Sequence, residues 1–365
     1  MEEMTDRGNG RMLISVDVMG GDHGPMTILD GIALAAKKYP DVEFILHGPE
    51  RELKQIVGKR KNLQSRCEIR DATNMVSMGD KPSIAARHAE GTSMWSALEA
   101  VRTGEASACF SCGNTGALAM LSVLRLKRLP GINRPAIAIL WPSKNPQGHT
   151  IMLDGGADIS ADAQDLLQYA LMGTTYARFG YGLSRPRVGL LNVGTEKHKG
   201  TQELGKAYGL IDNSAGNAEF DFMGFIEGMN IPGDLCDVVI TDGFTGNVAI
   251  KASEGTAELI LGFLRDAFNF TPLSRIAALL AYTSLRRMKK RIDPRRSNGG
   301  VFLGVNGTVI KSHGSADAVG VSAAIKLACK LARSNFNSKL ATTVSSFALQ
   351  KPNASNSISA KENCR

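Results

Sequence analysis

Five times along this chain an apolar stretch of strand length runs into a glycine-bearing loop and then into a helical pattern. The units open at Leu13, Ala108, Ile151, Val188 and Val238, and their loops occupy 17–25, 113–116, 154–158, 194–200 and 242–247. The strands show little alternation of apolar and polar residues, so both faces must be covered. Joined by helices, such strands imply an α/β fold of Rossmann-like type: an open, mostly parallel sheet with helices on both faces. Loops after parallel strands emerge at the carboxyl edge, where open α/β sheets bind ligands. The expectation is therefore one cleft lined by five glycine loops. A segment at 301–310 with Gly304 and Gly307 is expected as a hairpin feeding Lys311-Ser312-His313-Gly314-Ser315.

The rest of the composition narrows the class. At 365 residues, 43% apolar and 21% charged, the chain is ordinary for a globular protein. No apolar run approaches the roughly 18 residues that span a bilayer. Met1-Glu2-Glu3-Met4 precedes no apolar block, so a cytoplasmic address is expected. Six scattered cysteines do not make a disulfide framework. Cys109 and Cys112 have the spacing of half a metal site, but no second pair completes it, and no metal is expected. Metalloprotease, nucleophile-elbow and Walker A patterns are missing, and so is Gly-x-Gly-x-x-Gly after a strand. No cofactor is expected. Of the net charge of +8, nearly all lies within 270–296, where eight cations are opposed by Asp293 alone. Residues 1–11 and 334–365 read as mobile tails on a single catalytic domain, 12–333, with a protruding basic and apolar helical region at about 257–296.

The loops share an inventory of hydrogen-bond donors suited to phosphate or a developing oxyanion. Asp17, Gly20, Gly21 and Asp22 lie between a strand and a helix. Asn114 and Thr115 open a second helix, beside Gly113 and Gly116, and Asn247 opens a third. Such residues cap helices, yet a cap consumes only some of the orphan N–H groups and leaves others for an anion. Lys199 and Lys311 stand in glycine-rich loops rather than on helix faces, which points to a phosphate site. His313, near Lys311 and Ser315, is the histidine best placed for proton transfer, with His23 second. His47, His88 and His149 read as structural or surface residues.

Seven stretches then stand in a distinctive order: 17–21, Lys81-Pro82-Ser83, 113–116, Pro130-Gly131-Ile132-Asn133-Arg134-Pro135, 186–194, 237–247, and 311–315 with Asp317. Over roughly 12–330 the chain resembles the bacterial phosphate acyltransferases of phospholipid synthesis, the PlsX type. The resemblance implies a fold similar to isopropylmalate and isocitrate dehydrogenases and to phosphotransacetylases. It implies transfer of a fatty acyl chain from an acyl-carrier protein thioester to inorganic phosphate, giving acyl phosphate for phosphatidic acid and phospholipid synthesis. It also implies a homodimer, peripheral membrane association and a downstream glycerol-3-phosphate acyltransferase.

By the same resemblance Lys199 and Asn247 stand at the reacting centre. Lys199 would polarise the thioester carbonyl or hold phosphate, Asn247 would donate to the oxyanion, Asp242 would orient either one, and His313 would assist the leaving thiolate. Asp17, Gly20, Gly21, Asp22, Gly113, Asn114, Thr115, Gly116, Lys311 and Ser315 would bind substrate. Direct transfer in a ternary complex is expected. Two positions depart from the family pattern. Asp158 stands where asparagine is usual, and a carboxylate there would repel phosphate unless it faces away or a cation neutralises it. Cys112 stands where alanine is common.

Leu273, Ile276 and Leu280, backed by Arg286, Arg287, Lys289, Lys290 and Arg291, suit an anionic membrane surface or an acidic carrier protein. Nucleic acid is not expected, for want of a recognition module. The rival readings are a nicotinamide dehydrogenase, a CoA-dependent phosphotransacetylase and a non-enzymatic membrane scaffold.

Overall fold

The computed structural model describes residues 11–292 and 299–348. The described residues form eleven strands: β1 Met12–Asp17, β2 Val42–Gly48, β3 Cys67–Asp71, β4 Ala108–Ser111, β5 Ala136–Pro142, β6 His149–Leu153, β7 Arg187–Leu191, β8 Asp221–Ile226, β9 Val238–Ile240, β10 Gly300–Leu303 and β11 Val309–Lys311. Their order is β3-β2-β1-β4-β11-β10-β5-β6-β9-β7-β8. The five units read from the sequence become β1, β4, β6, β7 and β9, and the segment after Gly299 forms the antiparallel pair β10–β11.

The sheet differs from the expectation in one respect that decides the site. Strands β1, β2, β3, β4 and β11 run parallel to one another, and β6, β7, β8 and β9 form a second parallel set. β5 is antiparallel both to β10 on one side and to β6 on the other, so the two sets run in opposite directions. The registers place their ends. Lys311 pairs with Gly300 at the end of β11, while Ile139 pairs with Met152 at the end of β6. Both carboxyl edges therefore arrive at the middle of β5 from opposite sides. The five loops do not share one edge; they form two facing sets across a bridge of β10 and β5. At about 4.8 Å per strand, the ends of β11 and β6 are roughly 14 Å apart across the sheet.

Helices cover the sheet for reasons visible in their residues. The helix Gly24–Lys38 buries Ile28, Leu29, Ile32, Ala35 and Ala36, the stripe its periodicity gives. Helix Ala163–Tyr181 starts in a capping box of Asp162 and Asp165 and stops at Gly182, whose φ of 75° suits the left-handed C-cap. It is buried along nearly its whole length. One reason is a second helix, Phe336–Ala348, which packs on it with Phe336, Leu340 and Val344 turned inward. That helix corrects the reading of 334 onward as a mobile tail. Apolar residues four apart make a helical stripe, and the surrounding Ser, Asn and Thr obscured it. The stretch from 349 lies outside the described residues, as do 1–10 and Asp293, Arg295 and Arg296. Nothing is described of the Lys289, Lys290 and Arg291 side chains.

Helix Gly243–Asn269 buries only Gly243 and Gly246, and the next helix, Pro272–Leu280, buries none of its residues. Leu273, Ile276 and Leu280 are exposed there, followed by exposed Arg286 and Arg287 in helix Tyr282–Ile292.

His47 is structural, and it carries a testable pH dependence. Ser15 Oγ donates to the Ala97 carbonyl at 2.8 Å, so it accepts from His47 Nε2, also at 2.8 Å. Nδ1 then accepts from Ser96 Oγ at 2.8 Å, and the neutral ring is fully satisfied. Burial, aided by the Arg70 charge, pushes the His47 imidazole down to about 3. In the unfolded chain it titrates at its usual value, so below about pH 6.5 the unfolded state takes up a proton that the folded state refuses. Stability is then lost as pH falls, by about 2 kcal/mol between pH 7 and pH 5 from this group. Urea unfolding at the two pH values checks this, and a His47→Gln protein should lack that share of the loss.

Candidate active site

The first set of loops is interlocked. Asp17, buried at the end of β1, accepts from Ser93 Oγ at 2.6 Å and Ser111 Oγ at 2.7 Å. Burial pushes its carboxyl up, against those hydrogen bonds. Its oxygens are spent on building the floor rather than presented to a ligand. Gly20 is required because a Cβ there would fall 2.6 Å from the Gly113 amide nitrogen and 2.8 Å from Asp17 Oδ2. Gly21 has φ +100° and lies against Cys112 and Gly314. The Asp22 N–H donates to Gly314 O at 2.8 Å, joining the loop after β1 to the loop after β11.

Asn114 caps helix Thr115–Leu126 through Oδ1, while its Nδ2 donates to the carbonyls of Ser77, Met78 and Asp80. Its side chain is thereby committed to holding the 77–80 loop and is not free for substrate. Thr115 is half-buried, and Gly116 allows Pro82 to pack against the helix, where a Cβ would fall 2.5 Å from Pro82 Cγ.

Lys311 is the unusual group of this set. Its ammonium is buried, and among the described residues Nζ touches main-chain carbonyls only, Cys112 O at 3.4 Å and Ser312 O. Burial pushes it down to about 8, against the pull of the Asp17 and Asp22 carboxylates. A buried cation without an anion in contact is costly unless an anion arrives. Next to it the Ser312 hydroxyl is buried with no nitrogen or oxygen partner among the described residues and lies by the Cys112 thiol. His313 is exposed, with Nδ1 3.0 Å from the Ser315 hydroxyl.

The facing set belongs to β6, β7 and β9. Asp154, buried just after β6, collects the N–H groups of Ile137, Gly156, Ala157 and Asp158, which pins its loop to β5. Helix Gly243–Asn269 begins directly against that loop. A Cβ on Gly243 would fall 2.0 Å from Asp158 O, and one on Gly246 would fall 1.9 Å from Asp154 O. Asn247 lies over Gly156, where a Cβ would be 2.8 Å from its Nδ2. Lys199 sits in the loop after β7, its Nζ 2.8 Å from Glu196 Oε1. Asp242 orients neither residue: Oδ1 caps the helix at the Thr245 N–H and Oδ2 accepts from the Thr245 hydroxyl. The Asp-x-x-Thr spacing is an N-cap signature, and that local bond prevails.

Several participants carry no mark in the sequence. Ser93 reaches Asp17 from 76 positions away, and Glu196 is one charge among several in its loop. Arg134, by contrast, lies within the distinctive 130–135 stretch, and it reaches Asp158, Nη1 to Oδ2 at 2.5 Å. Among the described residues no group of three or more His, Cys, Asp or Glu is arranged to hold a metal ion.

Residues 12–339 match the family described as fatty acid synthesis protein. A curated relative from Roseobacter denitrificans, named phosphate acyltransferase, is 64% identical over 340 residues, covering 93% of this chain and 95% of its own. Another of that name from Ruegeria pomeroyi is 62% identical over 346 residues, covering 95% and 93%. The chain belongs to the phosphate acyltransferase family.

It is thus an acyltransferase, and the dehydrogenase and scaffold readings are set aside. A phosphotransacetylase from Streptococcus pyogenes superposes with a TM-score of 0.59 at 15% identity, covering 89% of this chain and 95% of that one. A branched-chain phosphotransacylase from Enterococcus faecalis gives 0.53 at 12% identity, covering 88% and 99%. At such identity these show a shared fold. In this acyltransferase the two departures from the family pattern have physical accounts. The charge of Asp158 is met by Arg134, and the Cys112 thiol is buried, which pushes it up to about 12 and leaves it a packing group.

Proposed function

We propose that the protein transfers a fatty acyl chain from an acyl-carrier protein thioester to inorganic phosphate, giving acyl phosphate and the free carrier thiol. The acyl phosphate would serve a glycerol-3-phosphate acyltransferase on the way to phosphatidic acid. The observation that carries this reading is the buried Lys311 ammonium, touching carbonyls only, in a nest of glycine loops that faces Lys199 and Asn247 across β10 and β5.

Phosphate has a second pKa near neutrality, so its dianion is a nucleophile already. The protein's work is to strip water from it, aim it and stabilise the tetrahedral oxyanion. Lys311, with the buried Ser312 hydroxyl and the Gly20–Gly21 backbone, would hold the phosphate. Lys199 would meet the thioester carbonyl, and the Asn247 carboxamide, which lies over Gly156, would donate to the oxyanion. The thiolate leaves without an acid, since its thiol titrates at roughly 8 to 9. His313, being exposed, would at most shuttle that proton through solvent.

The test uses a long-chain acyl-carrier protein, inorganic phosphate and hydroxylamine to trap acyl phosphate, with free carrier thiol followed in parallel. Phosphate-dependent release of both in equal amounts is expected. No product from the carrier and product from a CoA thioester would move the donor to CoA.

Lys311 adds a pH dependence. Above about 8 the free enzyme loses this charge and with it the phosphate's partner. kcat/KM for phosphate should fall about tenfold per pH unit there, and a Lys311→Arg protein should stay flat. Exposed Leu273, Ile276 and Leu280, with Arg286 and Arg287 beyond them, support peripheral binding to an anionic membrane by an otherwise cytoplasmic protein. Among the described residues no helix is long and apolar enough to cross a membrane. A homodimer remains part of the proposal.

A further inference from the structure

The loop between β7 and helix Gln202–Ser214 is built around one side chain. Asn192 donates from Nδ2 to the Lys199 carbonyl at 3.0 Å, and the Lys199 N–H donates to Glu196 O at 3.0 Å. The Lys199 and Glu196 side chains then lie together across Gly194. A Cβ on Gly194 would fall 2.4 Å from Lys199 Cδ, 2.8 Å from Glu196 Oε2 and 3.0 Å from Lys199 Nζ. Both partners are about half exposed, and such ion pairs contribute little to stability. A loop that commits a glycine and a carboxylate to one lysine is not explained by folding energy.

We propose that Glu196 is a positioning residue for acyl transfer, holding the Lys199 ammonium charged and in one place over the bare backbone of Gly194. The proposal rests on Lys199 being the group that meets the thioester. Charge matters here for a chemical reason. A neutral lysine amine beside an acyl phosphate is itself a nucleophile. Its nitrogen would attack the acyl carbon and form an amide. The bond from that carbon to the phosphate oxygen would break, and phosphate would leave with the amine proton. The enzyme would thereby acylate itself. A carboxylate 2.8 Å away holds the proton on nitrogen and suppresses that side reaction. The Glu227 charge, just after β8, acts in the same sense, while Lys197 is drawn over the Tyr208 ring.

The experiment compares the full-length protein with its Glu196→Gln, Glu196→Asp and Gly194→Ala variants. Each is assayed for phosphate-dependent thiol release, and Lys199 acylation by a synthetic long-chain acyl phosphate is followed by peptide mass spectrometry. Glu196→Gln is expected to lower kcat about tenfold with KM for the thioester and Tm unchanged. It should acylate Lys199 roughly threefold or more faster, because the lysine loses the carboxylate that raises its pKa. Glu196→Asp should recover part of both. Gly194→Ala displaces two flexible side chains rather than backbone, so it should lower kcat in a folded protein.

Wild-type kcat in Glu196→Gln, or a lowered kcat with unchanged Lys199 acylation, overturns the proposal. A Lys199→Ala protein with wild-type activity would instead remove the reading beneath it.

Discussion

Lys199→Ala is expected to lower kcat by about 10²- to 10³-fold, the loss typical when one preplaced group facing a developing oxyanion is removed. The acceptor needs no activation, so most of the barrier is electrostatic. The phosphate dianion approaches a neutral carbonyl, and negative charge collects on its oxygen as the carbon turns tetrahedral. An ammonium fixed by its own loop at both main chain and side chain would, in the proposed mechanism, meet that charge without reorganising. KM for the thioester should change little, since the interaction strengthens only in the transition state. Asn247→Ala should fall in the same range, and the double variant should lose much less than the product of the two, because both are proposed to act on one oxygen. Steady-state thiol release over a phosphate series measures all three. Activity of Lys199→Ala within a few-fold of wild type would take the residue out of the mechanism.

How much of this was legible in the sequence depends on the range of the interaction. The strand–loop–helix units at Leu13, Ala108, Ile151, Val188 and Val238 are local patterns, and each became a strand followed by a site loop. The reversal of direction has two parts, both at β5. The turn from β5 back into β6 is a local hairpin over 143–148, closed at Gly148, which the five strand–loop–helix units leave out. The pairing of β5 with β10, from 300–303, joins strands far apart in sequence, and such register leaves no periodicity to read. The same limit hid Ser93 behind Asp17 and the 77–80 loop behind Asn114. Asp242 is the opposite case. Its Asp-x-x-Thr spacing was present, and local capping geometry outweighed the catalytic role that resemblance suggested.

Gly246→Ala should cost both stability and activity, although helix propensity alone argues the other way. Alanine in place of an interior helical glycine gains up to about 1 kcal/mol. At Gly246, however, the new methyl would sit 1.9 Å from the Asp154 carbonyl oxygen and 3.1 Å from its carbon. These are main-chain atoms, and the Asp154 carboxylate is tied by four backbone N–H groups, so the loop is held and the helix must move. Overpacking of this kind costs about 3 kcal/mol, which outweighs the propensity gain. The displaced segment carries Asn247, one residue on, away from Gly156, so kcat should fall at least tenfold with Tm lower by several degrees. Gly255→Ala on the same helix has open space around it and should be neutral or slightly stabilising. Thermal unfolding and turnover of the two variants separate the effects. A Gly246→Ala protein as stable and active as its Gly255→Ala counterpart would mean that the helix does not rest on the Asp154 loop. The close approach that brings Asn247 to the cleft would then be lost from the account.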